Sequence, residues 1–225
     1  MWHEFNPTHT YLGSGDIAEG VGGDMSVLYV WDVTDLSNII MCAKFASDKV
    51  SVVEFAFIIS RILSLYNNPY FIAERNGISG GTIDSLRLTY KYQNIVTEGK
   101  NNETGVFSHV QNKSKTCLWA REMLTTEGFG FTIYDKELLD EWNTFVKKDT
   151  KGVHIVYQAL PPAHDDHIMA FIWMTYILQS EIVEKYFIVH DMFRSALGNT
   201  YAKILHPLNE YHATDIKRIY DDPLH

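Results

Sequence analysis

The chain has 225 residues, 46% of them apolar, 21% charged and 13% aromatic, which is enough for a sizeable buried core and too apolar for a disordered segment. Its two cysteines, Cys42 and Cys117, exclude a disulfide scaffold and read as reduced core thiols. A net charge of −9, from 28 acidic and 19 basic residues, argues against a nucleic-acid coat protein.

The start, Met1-Trp2-His3-Glu4, has no basic stretch leading into an apolar core, so it does not read as a signal peptide. The most apolar run, residues 168–178, is shorter than the roughly 20 residues that a membrane span needs. The expectation is a soluble, cytoplasmic protein.

Residues 9–16 predict a short strand ending on Asp16, and Gly20, Gly22 and Gly23 a tight turn. Residues 26–33, rich in β-branched and aromatic side chains, predict a second strand, and residues 39–45 a third. Ser51 is placed to cap a helix through Tyr66, with Glu54 completing a capping box. Asn67-Asn68-Pro69 stops that helix, and residues 70–74 predict an apolar strand ending on Glu74. Residues 79–90 predict a helix, 94–97 a short strand and 98–105 a polar loop. A helix is expected over 114–126, then a strand or extended loop over 129–134. Residues 136–147 predict a helix with Leu138, Leu139, Trp142, Phe145 and Val146 inward, and 153–157 a strand by alternation. After Pro161-Pro162, Asp165 or Asp166 opens a long apolar helix to about Tyr186. Three hairpin-linked strands followed by alternating helices predict an α/β fold, a mixed central sheet with helices on both faces. Residues 1–186 read as one domain and 187–225 as a C-terminal tail for docking a partner.

Carboxylates fall at unusual places. Asp16 and Glu74 end apolar strands, and Asp165 and Asp166 start a nearly uninterrupted apolar helix. An acid at the end of a buried strand is costly unless it is paired, hydrogen-bonded or bound to a metal. If the first and fourth strands are neighbours, Asp16 and Glu74 converge, and the helix start brings Asp166 to the same point. Hard oxygen ligands suit Mg²⁺ or Mn²⁺, and two such ions about 4 Å apart serve phosphodiester hydrolysis. Plainer readings exist: Asp16 as a turn former, Glu74 paired with Arg75 or Arg87, Asp165 and Asp166 as helix caps. Residues 91–121 hold Lys91, Lys100, Lys113, Lys115 and Arg121 against Glu98 and Glu103, either a nucleic-acid contact or a solvated face. No ATP-type phosphate loop and no dinucleotide fingerprint is present. His164 and His167 lack the further ligands of a zinc site.

Three motifs carry a resemblance: Gly15-Asp-Ile-Ala-Glu-Gly-Val-Gly-Gly-Asp-Met-Ser26, Phe71-Ile-Ala-Glu-Arg-Asn-Gly-Ile-Ser79 and His164-Asp-Asp-His-Ile-Met-Ala170. In order and spacing they resemble the nuclease domain of the large terminase subunit, the DNA-packaging motor protein, of T4-like tailed bacteriophages. The resemblance implies a ribonuclease H-like fold and a two-metal endonuclease, with Mg²⁺ or Mn²⁺, that cuts concatemeric viral DNA in the host cytoplasm. It implies catalytic roles for Asp16, Glu74 and Asp166, metal binding by these with Asp165, and a supporting role for Asp24. It places Lys115 against double-stranded DNA, beside Lys113 and Arg121 of the same basic stretch as DNA-binding candidates, and implies the portal protein and small terminase subunit as partners of a domain that is monomeric alone. The family's N-terminal ATPase leaves no trace here, and residues 101–110 depart from its glycine-rich hairpin. Two alternatives remain: a docking module of the motor that binds the portal or DNA, and an actin-like ATPase, which would need phosphate and nucleoside loops not seen.

Overall fold

Residues 1–20, 22–77, 79–98, 103–107, 110–148 and 156–179 are described by the computed structural model. Of its two compact units, Met1–Tyr186 and Phe187–His225, the second lies outside the described residues, as does the tail expected there.

Alternation along β1 (Tyr11–Asp16) and β2 (Ser26–Asp32) sorts side chains onto two faces of one sheet. These strands pair antiparallel, as do β2 and β3 (Ile39–Ser47). β4 (Tyr70–Ala73) lies parallel beside β1, and a two-residue β7 (Phe131–Thr132) lies parallel beside β3. The order is β4-β1-β2-β3-β7, the expected mixed sheet.

One face packs on α1 (Val52–Ser64) and α2 (Ser79–Leu88). Leu28, Val30 and Ala43 from the sheet meet Phe55, Ile59, Leu63, Ile83 and Leu86 in one buried cluster. The approach is close enough that a Cβ at Gly13 would stand 2.8 Å from Leu63 Cδ2, which explains a glycine in mid-strand. The capping box holds: the Ser51 hydroxyl accepts from the Glu54 N–H, and Glu54 accepts from the Ser51 N–H at 3.1 Å. Asn67 and Asn68 adopt left-handed φ of 61° and 53° just past the helix, as amide side chains can.

The other face packs on α5 (Asp166–Gln179). Phe171 is fully buried, with the rings of Trp31, Phe131 and Trp142 at 5.7, 5.4 and 5.5 Å. Trp31 Nε1 donates to the buried Ser14 Oγ at 2.9 Å, so the same face hides a satisfied polar pair. α3 (Val110–Thr125) and α4 (Lys136–Thr144) pack on α5 in turn.

Four expectations change. The helix expected from 114 begins at Val110. The loop expected over 98–105 carries β5 (Thr97–Glu98) and β6 (Glu103–Thr104), paired with each other. The strand expected over 94–97 is reduced to a bridge at Ile95 that leads into β5. The helix expected to reach 147 stops at Thr144, because β8 (Phe145–Lys148) pairs with β9 (Val156–Ala159). Ladder hydrogen bonds and the stacked rings of Phe145 and Tyr157 outweigh the helical spacing there. Among the described residues no helix is long and apolar enough to cross a membrane.

Candidate metal centre

The parallel register sets the first two acids. Ser14 pairs with Ile72 and Gly15 with Ala73, so Asp16 and Glu74 stand next, side by side at the carboxyl ends of β1 and β4. Alternation from Ser14 and Ile72 turns both toward the α5 face. Glu74 bridges Val106 through its backbone, and its Oε1 accepts from Asn76 Nδ2 at 2.7 Å. Arg75 pairs with Asp84 at 3.0 Å instead of with Glu74.

Two contacts bring the third acid in. Asp166, 6% exposed, accepts the Met25 N–H on Oδ2 at 2.7 Å, tying the start of α5 to the turn between β1 and β2. Glu141 of α4 accepts the Ile168 N–H at 3.0 Å, satisfying a donor that a helix start leaves open, and pairs with His167 Nδ1 at 2.7 Å. The Asp165 carbonyl accepts from the Met169 N–H at 2.8 Å, so Asp165 stands at the helix entry.

The charges show mutual strain. Burial pushes the Asp16 carboxyl well above the usual range, the carboxylates of Asp166, Glu74 and Asp165 add to it, and the Lys113 ammonium opposes it. Burial pushes Asp166 up to about 6 against the Met25 hydrogen bond, and Asp24 and Glu141 add to the rise. A site that favours protons on its acids offers the same potential to a divalent cation. Asp16, Glu74, Asp165 and Asp166 therefore fit such an ion by donor type and by charge.

Among the described residues, two groups place ligand atoms within 4.8 Å of one another: Asp24 with His164 and Asp166, and Asp135 with Glu137 and His167. Asp16 and Glu74 belong to neither, so they share a potential with Asp166 but not a closed cage. The exposed Asp24 lies 3.2 Å from His164 Nδ1. Sequence reasoning set His164 aside, although its position beside Asp165 and Asp166 was the available signal.

The second group is an ion-paired cluster that the sequence did not reveal. Asp135 caps α4 and accepts from the Tyr29 hydroxyl and from Lys44 Nζ at 2.8 Å; Lys44 also bonds Glu137. Burial opposes ionisation of Asp135, yet Lys44 and Tyr29 hold its carboxyl below the usual range. His167 Nε2 is buried, with Glu137 3.9 Å away. A cleft of about 390 Å³ beside Asp166 is lined by Met25, Glu137, Glu141, His164 and His167.

The three basic candidates separate. Lys113 Nζ lies 4.0 Å from Asp165 Oδ2. Lys115 is exposed, 4.3 Å over the Trp119 ring, and Arg121 is exposed on α3.

No protein-family model matches the chain. Its fold is similar to the large terminase nuclease from thermophilic phage G20c with bound magnesium, at a TM-score of 0.62 and 18% identity over 77% of this chain and 84% of that one. The same G20c nuclease with bound cobalt gives 0.62 and 18% over the same shares. The large terminase nuclease domain of Thermus phage P74-26 gives 0.59 and 18%, over 80% of this chain and 84% of that one. The chain thus has the ribonuclease H-like fold of these nuclease domains.

Proposed function

We propose that the chain is a divalent-metal-dependent DNA endonuclease of the large-terminase type, hydrolysing phosphodiester bonds of concatemeric viral DNA during genome packaging. The observation that supports this reading is that the carboxylates of Asp166 and Glu74, from separate stretches of chain, both act on the buried Asp16 at the end of β1. Asp16, Glu74, Asp165 and Asp166 would hold two Mg²⁺ or Mn²⁺ ions, with Asp24 beside Asp166. Ions held there supply Lewis acidity to the attacking water and the leaving oxygen of a phosphodiester. The chain's own part is positioning: Met25 fixes Asp166, Asn76 orients Glu74, and Glu141 anchors the first turn of α5. Exposed on α3, Lys115 and Arg121 are available to double-stranded DNA.

The order of the three motifs favours the T4-like type within this reading. The portal protein and small terminase subunit as partners, the host cytoplasm as location and a monomeric isolated domain follow from it. So does a division into a nuclease domain over 1–186 and a docking tail over 187–225.

Supercoiled plasmid incubated with Mn²⁺ tests the reading. Wild type is expected to give nicked and linear products. Asp16→Asn, Glu74→Gln and Asp166→Asn are each expected to lose activity by about two orders of magnitude or more, the scale of a lost electrostatic contribution. Asn caps a helix about as well as Asp, so Asp166→Asn leaves the start of α5 intact. A variant that cuts at the wild-type rate removes its residue from the centre. Wild type that cuts with none of Mg²⁺, Mn²⁺ or Co²⁺ overturns the reading.

A further inference from the structure

Two lysines of α3 that look equivalent in sequence do different things. The buried face of α3 runs through Thr116, Cys117, Ala120 and Met123, a helical stripe. Four residues before Cys117, Lys113 is at the head of that stripe, at a position where an apolar side chain would continue it. Its side chain is 32% exposed. Lys115 falls off the stripe and is exposed.

From that position Lys113 reaches the carboxylates. Its ammonium lies 4.0 Å from Asp165 Oδ2, and it lowers the Asp16 carboxyl against the neighbouring carboxylates. Lys113 thus touches Asp165 at one long contact and acts on the charge of Asp16. Lys44, by contrast, bonds two carboxylates directly.

Resting on the metal-dependent reading above, we propose that Lys113 is the resident counter-ion of the carboxylate centre, which a divalent cation must displace. In the metal-free protein the ammonium offsets repulsion among the acids. A divalent ion brings twice the charge and coordinates oxygens at about 2.0–2.6 Å, and an ammonium left beside it would repel it. The four-carbon stem of a lysine is flexible, so the head group can withdraw. Metal affinity is therefore lowered by Lys113, while stability without metal is raised by it.

Calorimetric titration of the whole chain with Mn²⁺, without DNA, together with melting curves in a chelator, tests this. Lys113→Met keeps the stem and removes the charge. It is expected to melt below wild type without metal and to bind Mn²⁺ about tenfold tighter, the scale on which one neighbouring charge shifts a carboxylate's affinity for a proton. Lys113→Gln is expected to do the same should the methionine variant fold poorly. Lys113→Arg, which keeps the charge, and Lys115→Met, on the other face, are expected to match wild type. A merely structural lysine would lower the melting temperature without tightening metal binding. Mn²⁺ affinity unchanged or weaker in both neutral variants, with wild type binding normally, overturns this inference alone. No Mn²⁺ binding by wild type overturns the metal-dependent reading and this inference together.

Discussion

Two acidic clusters include residues of the first turn of α5, His167 in one and Asp166 in the other, and they carry opposite electrostatics. In one, Lys44 and the Tyr29 hydroxyl bind Asp135 directly, and its carboxyl is held below the usual range. In the other, burial and neighbouring carboxylates raise both acids, against Lys113 at Asp16 and against the Met25 hydrogen bond and His164 at Asp166. Both clusters are rich in acids, so acid content alone does not mark a metal centre. What differs is whether the protein supplies the cation itself. In the Asp135 cluster Lys44 supplies that cation, beside a buried His167 Nε2 that has no hydrogen-bond partner among the described residues, whereas at Asp16 burial and neighbouring carboxylates outweigh Lys113.

The largest expected effect breaks the Lys44–Asp135 pair. The Lys44 side chain is 14% exposed and that of Asp135 4%, so Lys44→Met leaves a buried charge uncompensated at a cost of about 3 kcal/mol. Urea denaturation checks this, and a loss below about 1 kcal/mol would show that Asp135 needs no partner. Next comes the uncompensated centre: Mn²⁺ at a hundredfold excess over its Kd stabilises a folded state that binds it by about 2.7 kcal/mol. Thermal melts are expected to show that gain in wild type and in Asp135→Asn, and to lose most of it in Asp166→Asn. Retention of the full gain in Asp166→Asn would place the ion elsewhere.

A smaller effect separates the clusters by pH in metal-free protein. Asp166 moves from 3.8 to about 6 on folding, so folding favours its protonated form. Stability then rises as pH falls through about 6 toward the unfolded value near 3.8, with Asp16 acting in the same sense. Asp135, lowered on folding, contributes stability above its unfolded pKa and loses it in stronger acid. Melting temperature against pH should therefore peak in mild acid, and Asp166→Asn should flatten the rise on its alkaline side. A steady fall from neutral pH downward would contradict the strain in the centre. The smallest effect concerns Lys115: Lys115→Glu is expected to reduce the salt slope of DNA binding by about one unit, with no change in melting temperature. An unchanged slope would remove Lys115 from the DNA-facing surface.

Local signals made much of this legible in the sequence. Apolar, β-branched and aromatic runs between turn residues marked β1 to β4, and Ser51 with Glu54 marked the start of α1. The placement of acids at the ends of apolar runs pointed to Asp16, Glu74 and Asp166 before any pairing was known. What failed was information carried by distant partners. Phe145 and Val146 satisfy a helical stripe, and only pairing with β9 takes them out of the helix. Lys113 and Lys115 could not be told apart because the helix was expected to start at 114; starting it at Val110 puts Lys113 on the buried face. Lys44 and Asp135 stand 91 residues apart, beyond the reach of any local pattern.

The bond from the Met25 N–H to Asp166 joins residues 141 positions apart in the chain. During synthesis β1, β2 and β4 leave the ribosome long before residue 166 does. A nascent chain can form the sheet and present Asp16 and Glu74 while still lacking the helix that supplies Asp165 and Asp166. The centre therefore comes together only at the close of translation of this region, and a chain released early carries half of its acids on a sheet with one face uncovered.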